Sequence, residues 1–146
     1  MHPLMVSALM WGSAGVATGW FMAQADWKTL RKPGLFTRLR PHETRKFYER
    51  VLFVRVWKDR LPEAGTWFGG ISKRHLPRAQ DGGLARFAAE SLRAERVHLL
   101  LSLVIPLSLT WSRGWWMFGN IAFGVVVNVP CIVVARYNRI RIARIA

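Results

Sequence analysis

Three stretches of the chain are apolar enough to act as membrane helices, and the segments between them carry the charge. Residues 3–25 contain no Asp, Glu, Lys or Arg, and as a helix rising about 1.5 Å per residue they cover the roughly 30 Å of a bilayer's hydrocarbon. A second run, Val97 to Ser112, is short alone but continues backward into a helical pattern that starts near Leu84. This predicts one helix over 84–112 that begins wet and ends in lipid. Trp115 to Ala135 is the third run, again without a charge, and only Arg113 and Gly114 separate it from the second. So short a break predicts a tight helical hairpin. The expected fold is an all-α integral membrane protein forming a single membrane domain. It has three transmembrane helices at 3–25, 84–112 and 115–135, a basic cytosolic or interfacial segment at 26–83, and a basic cytosolic tail at 136–146.

Composition narrows the classes. A formal charge of +14 accompanies 51% hydrophobic residues among 146, which is too apolar for a disordered basic tail, and one cysteine cannot make a disulfide scaffold. The charge is also unevenly placed. All eight acids and 17 of the 22 basic residues lie between 26 and 96, a net +9, while Arg136, Arg139, Arg141 and Arg144 follow the third run and Arg113 stands alone on the other side. Cationic segments stay in the cytosol, so the first helix starts outside, 26–96 and the tail lie inside, and the 113 turn lies outside. The expected location is the cell (plasma) membrane, multi-pass, with the N-terminus outside and the C-terminus cytosolic. Trp111, Trp115 and Trp116 flank the outer turn as an aromatic belt would. Ala23-Gln24-Ala25 matches a signal-peptidase pattern, but cleavage would leave the +9 segment outside and no positive n-region precedes it. An uncleaved helix is expected. A cationic segment held between membrane helices, with no nucleic-acid motif, argues against nucleic acid as a partner.

Several local patterns suggest packing. Gly15 and Gly19 stand in G-x-x-x-G spacing, which admits another backbone within the monomer or in a homo-oligomer. Thr44 to Arg60 does not separate apolar from charged positions cleanly at helical spacing, and a helix lying in the interface with snorkelling arginines describes it best. Gly65, Gly69 and Gly70 before Ser72, Lys73 and Arg74 form a basic glycine turn. Ile71 excludes a Walker A loop, which leaves a phosphate nest or a solvated, headgroup-facing loop.

Chemistry concentrates at the inner boundary. On a helix starting near Leu84, Glu90, Glu95 and His98 share one arc, and Arg86, Arg93 and Arg96 cluster on the other side, within reach of lipid phosphates. Carboxylates do not face lipid unpaired, so Glu90, Glu95 and His98 face protein or a cavity. Glu95 is three residues from His98, the spacing at which a carboxylate can orient an imidazole as a general base. The structural alternative is that both acids pair with loop arginines and His98 is a satisfied polar residue. Glu95-x-x-His98 is also half of a di-iron motif, but no second half exists and no metal is expected. On the third helix Asn120, Gly124 and Asn128 recur every four residues before Pro130, a stripe that serves as interhelical glue or, through an Asn amide and a freed carbonyl, holds a substrate group. Cys131 reads as inert packing.

Four blocks in this order resemble one family. They are Trp57-Lys58-Asp59 with Leu61-Pro62, Glu90 with Arg93-Ala94-Glu95 and His98, Asn128-x-Pro130, and Arg136-Tyr137-Asn138-Arg139-x-Arg141. Together they resemble the glycosyl-4,4'-diaponeurosporenoate acyltransferase family, small bacterial membrane proteins associated with fatty acylation of a glycosylated carotenoid. Ala135 and Ile140 depart from the pattern, where Gln and Pro are usual. The resemblance implies a membrane acyltransferase moving an acyl group from a thioester donor, acyl-coenzyme A or acyl carrier protein, to a sugar hydroxyl of a carotenoid glycoside or related glycolipid, with no bound cofactor. It singles out Lys58, Asp59, Glu90, Arg93, Glu95, His98, Asn128, Arg136, Asn138 and Arg139. His98 is then the expected base, oriented by Glu95 or Glu90, with Asn128, Asn138 and Arg136 at the developing oxyanion. Lys58, Lys73 and Arg74 would meet coenzyme A phosphates or an acidic carrier protein, and the tail arginines anionic lipid. Two rival readings are a non-enzymatic membrane subunit that docks a pathway enzyme or anionic lipid, and a small membrane methyltransferase.

Overall fold

The computed structural model describes residues 2–26, 28–62, 69, 71–72, 77 and 82–145. Within these the chain forms six α-helices and two single 3-10 turns, at Thr29–Arg31 and Lys58–Arg60. Helix α1 covers Pro3–Ala23. Its start follows from His2, whose Nδ1 accepts the Leu4 amide, and from Pro3, which lacks the amide proton that a first helical position leaves unused. Short helices α2 (Arg45–Arg50) and α3 (Val54–Trp57) follow, then α4 (Gly83–Ser102), α5 (Val104–Ser108) and α6 (Trp115–Ile142). Among the described residues two helices, α1 and α6, are long and apolar enough to cross a membrane, which is consistent with a membrane protein.

The helix expected over 84–112 is divided. Pro106 has no amide to give the Ser102 carbonyl, so α4 stops at Ser102, the Leu103 amide turns back to Leu100, and α5 resumes for five residues. Five charged residues between Arg86 and Arg96 also make the first half of α4 polar. The hairpin falls where expected, with Gly114 at φ 56° directly before α6. The third run was expected to end at Ala135, with a tail beyond it. Instead α6 continues unbroken to Ile142, so Arg136, Arg139 and Arg141 belong to its last turns.

The segment expected to hold an interfacial helix at 44–60 is two short helices on either side of a reversal. Thr44 caps α2 through Oγ1, and Phe53, at φ 49°, turns the chain into α3. A chain that reverses inside the window cannot hold one apolar face, which is why its pattern does not separate. Tyr48 and Val54 from this segment pack with Tyr137 and Ile140 of α6 in one core, with Leu39, Leu52, Trp57, Val133 and Val134 against it. The basic segment thus folds back onto the last turns of α6.

The largest helix interface is between α4 and α6, which run antiparallel. At the other end of the bundle Asn120 is the junction. Its Nδ2 donates to Ser7 Oγ at 3.0 Å, Ser112 Oγ at 2.8 Å and Trp116 O at 3.0 Å, and its Oδ1 accepts from Trp11 Nε1 at 3.0 Å. Gly124, one turn on, lies against Ile105 and Trp11, where a Cβ would fit neither neighbour. The stripe read as glue does join α1, the α5 region and α6 here.

Candidate functional site

The functional side chains come from α4, α6 and the loop before α2, and they sit in two tiers. The upper tier is ionic. Glu95 is fully buried, and its two carboxylate oxygens go to Arg136 Nε at 2.7 Å and to Arg139 Nη1. Arg136 also gives Nη1 to Glu43 Oε1 at 2.6 Å and Nη2 to the Phe36 carbonyl at 2.7 Å, while Arg139 Nη1 reaches the Thr37 carbonyl at 2.8 Å. The two arginines therefore tie α4 and α6 to the 36–43 loop. Guanidinium groups suit this because each presents five donors in a fixed plane.

Glu43 closes the tier. It accepts from Tyr48 Oη and from the Arg40 amide, both at 2.7 Å. Burial pushes its carboxyl upward, but the Tyr48 and Arg40 hydrogen bonds and the Arg136 charge outweigh burial and hold it below 4.5. Burial and the neighbouring Glu43 charge push the Tyr48 hydroxyl the other way, upward. A satellite pair lies beside this tier, with Glu49 Oε1 accepting from Arg45 Nε and Tyr137 Oη at 2.7 Å each. Those bonds, led by Arg45, hold the Glu49 carboxyl down.

The lower tier is one pair. His98 Nδ1 lies 2.9 Å from Asn128 Oδ1, and Asn128 Nδ2 donates to the Gly124 carbonyl at 2.9 Å. The second bond fixes which end of the amide faces the ring. An oxygen facing Nδ1 requires a proton on Nδ1, so the neutral imidazole carries its lone pair on Nε2. Asn128 is fully buried and His98 half-buried, inside the stretches that hold no charged residue, 97–112 and 115–135.

The structure therefore redistributes the residues expected to act together. The Glu95–His98 contact expected from their spacing is replaced, because both Glu95 oxygens are drawn to the arginines on α6 and Asn128 takes the ring. Arg136 and Arg139 are spent on Glu95, Glu43 and two backbone carbonyls, and both polar ends of the Asn128 amide are engaged. Glu90 is buried and pairs with Arg93 Nη2 at 2.5 Å, so Arg93 does not stand across the helix from it. Arg96 gives Nη2 to the Lys32 carbonyl at 2.6 Å. Asn138 is fully buried on α6, and Lys58 and Asp59 pair with each other at the second 3-10 turn. Lys73 and Arg74 lie outside the described residues. Among the described residues no group of three or more His, Cys, Asp or Glu could hold a metal ion. Sequence reasoning missed Glu43 and the 36–37 carbonyls. The available signal was that Glu43 is the one carboxylate between Trp27 and Tyr48.

These positions can be set against known proteins. Residues 32–146 match the family model described as glycosyl-4,4'-diaponeurosporenoate acyltransferase. The chain belongs to this family. Curated relatives of that name include one from Staphylococcus aureus strain N315, 30% identical over 101 residues, which is 68% of this chain and 61% of the relative. Those from strains RF122 / ET3-1 and USA300 are 28% identical over 103 residues, with the same coverage. The matched region thus spans about three fifths of these relatives' length. No solved structure matches the chain. The matched range holds α2 to α6 and both tiers, and leaves α1 outside.

Proposed function

We propose that the protein is a membrane acyltransferase that moves a fatty acyl group from a thioester donor, acyl-coenzyme A or acyl carrier protein, to a sugar hydroxyl of a glycosylated carotenoid or related glycolipid. The observation that carries this reading is the His98–Asn128 pair, an oriented imidazole in an apolar layer of a chain from this family. In the reaction, His98 Nε2 takes the proton of the sugar hydroxyl as its oxygen attacks the thioester carbonyl. The tetrahedral intermediate collapses with loss of the C–S bond, the sulfur leaves as thiolate, and the imidazolium returns the proton to it. Atoms and charge balance with no cofactor.

Asn128 acts as the positioning residue, because its carbonyl oxygen holds the ring in one tautomer. Glu95 acts at one remove, fixing α6 against α4 through Arg136 and Arg139, and Glu90 steadies the preceding turn of α4 with Arg93. Asn138 lies ten residues beyond Asn128 on α6, about 15 Å along the helix axis, and so stands too far from His98 to meet the developing oxyanion. Lys58, which Asp59 holds at the second 3-10 turn, and the basic stretch at Lys73 and Arg74 are proposed to face the anionic part of the donor. The proposed topology spans the membrane at α1, across α4 and α5, and at α6, with the basic segment and both tiers at the cytosolic leaflet.

The test is mass spectrometry of lipid extracts from cells making a glycosylated carotenoid, with and without the protein, and with a His98→Ala variant shown to reach the membrane. The intact protein should add one fatty acyl mass to the glycoside. His98→Ala should lose at least about 10²-fold in rate, the low end of what a positioned base contributes. No added mass with the intact protein sinks the acceptor, and a fully active variant sinks the base.

A further inference from the structure

The loop that carries the Phe36 and Thr37 carbonyls has an unusual corner. The Thr37 amide donates to the Gly34 carbonyl at 3.1 Å and the Gly34 amide donates to Thr37 Oγ1 at 2.8 Å, so Leu35 and Phe36 occupy the two corner positions of a tight turn. Turn corners normally hold Gly, Pro, Asn, Asp or Ser. Here two large apolar side chains stand 81% and 78% exposed. A second apolar tip lies at the α2–α3 reversal, where Val51, Phe53 and Val56 are each 60% exposed or more.

The position of the first tip is fixed by its anchors. Arg136 and Arg139 hold the carbonyls of residues 36 and 37, and Arg136 is the first charged residue after the uncharged stretch of α6 that ends at Ala135. The turn is therefore pinned at the level where α6 passes from apolar to charged. Val126 and Val129 are exposed on α6 about two to three turns before that level. Five basic residues and no carboxylate lie between 28 and 42, and Lys32, Arg38 and Arg40 are exposed on either side of the corner. Apolar side chains ringed by cations on a pinned turn match the headgroup–acyl boundary of an anionic bilayer, with the rings in the acyl region and the cations at lipid phosphates.

We infer that Leu35–Phe36, with the Phe53 tip as a second contact, is a membrane-inserting wedge that seats the basic segment on anionic lipid of the same leaflet that α6 leaves. The inference rests on the reading of α6 as a membrane span. It makes the 28–57 segment a lipid-facing part of the site's roof rather than a loop in water.

The experiment uses the full chain in vesicles containing phosphatidylglycerol, with Cys131→Ser as the parent and a nitroxide attached at Phe36→Cys, Phe53→Cys or Val126→Cys in turn. Collision with oxygen, which concentrates in hydrocarbon, is compared with collision with a water-soluble nickel chelate. At Phe36→Cys and Phe53→Cys the oxygen-to-nickel ratio should rise several-fold above that of the free label in water, toward the ratio at Val126→Cys. A label at Phe36 open to nickel while Val126 is shielded overturns the wedge and leaves the membrane span standing. Shielding from both reagents at Phe36 means that a protein, a partner or a second copy, covers the corner, and also overturns it. Nickel access at Val126 refutes the span itself, and the wedge with it.

Discussion

Replacing Glu95 by glutamine separates two roles that the sequence alone could not separate. Glu95 is fully buried with both oxygens bonded to arginines, and Gln keeps its shape while removing its charge. One end of the new amide becomes an NH2 facing a guanidinium, donor against donor, and Glu43 is left as the one carboxylate contacting Arg136. Two charge-assisted hydrogen bonds are worth about 1.5–3 kcal/mol each, and breaking a buried ion pair by removing one partner costs about 3–5 kcal/mol. Both routes give a loss near 4 kcal/mol. For a chain of this size that is a fall of roughly 8–16 °C in Tm, at about 2–4 °C per kcal/mol. The assay is thermal unfolding of purified Glu95→Gln beside the parent in the same nanodiscs, followed by tryptophan fluorescence. Acyl transfer per folded molecule is measured well below either midpoint. Activity per folded molecule should stay near that of the parent. A variant with an unchanged Tm and a kcat reduced about a hundredfold would refute the reasoning and return Glu95 to the imidazole.

Two further outcomes follow from neighbouring geometry. Gly124→Ala places a methyl group on Ile105 Cγ1 and 2.8 Å from Trp11 Cη2, and overpacking of this kind costs about 1–3 kcal/mol. The same nanodisc melting measurement should show it, and a neutral result would mean that α1 and α5 yield freely there. Glu43 has its carboxyl held below 4.5 in the fold, so its contribution is present in full above that pH and is lost as pH falls through the folded value. Stability measured from pH 7 down to 3 should therefore decline on the acid side, with a shallower decline in Glu43→Gln. An unaltered acid limb in that variant would assign the decline to other carboxylates.

The parts of the fold that depend on one-dimensional pattern were legible in the sequence. The uncharged runs gave α1 and α6 nearly to the residue at their starts, and Arg113-Gly114 gave the hairpin. Pro106 was visible as well, but its effect was hidden because the apolar run continues through it. Elements held by tertiary contact were not legible. Nothing in the spacing of Arg136 and Arg139 says that they turn inward to Glu95 rather than outward to lipid, because snorkelling and ion pairing demand the same residue types at a helix end. The four-residue step from Gly124 to Asn128 suggested glue, and its other half, His98, lies thirty positions away on another helix. Helical spacing within α4 offered Glu95 as the ring's neighbour. It could not weigh that against two cations brought from α6.

The two tiers also show how charge is distributed along α4 and α6, and this can be tested at Asn128. The charged members of the network lie at or before Glu95 on α4 and at or after Arg136 on α6, while the ring's partner in the uncharged layer is a neutral amide. Burial explains the choice. An ionised carboxylate in an apolar layer costs several kcal/mol unless cations surround it, and Glu95 has two arginines where position 128 has a histidine and a backbone carbonyl. Asn128→Asp would also set a second oxygen against the Gly124 carbonyl, 2.9 Å away, where a donor now sits. Asn128→Ala removes the ring's acceptor, for about 1–3 kcal/mol, and should lower kcat by about 10²-fold with KM little changed, since the ring is free to change tautomer. The Asp variant should be the less stable of the two in the same melting assay. An Asp variant as stable as the parent would mean that this layer accommodates a charged His98–Asp pair, and that burial among uncharged residues does not explain why the ring is held by an amide.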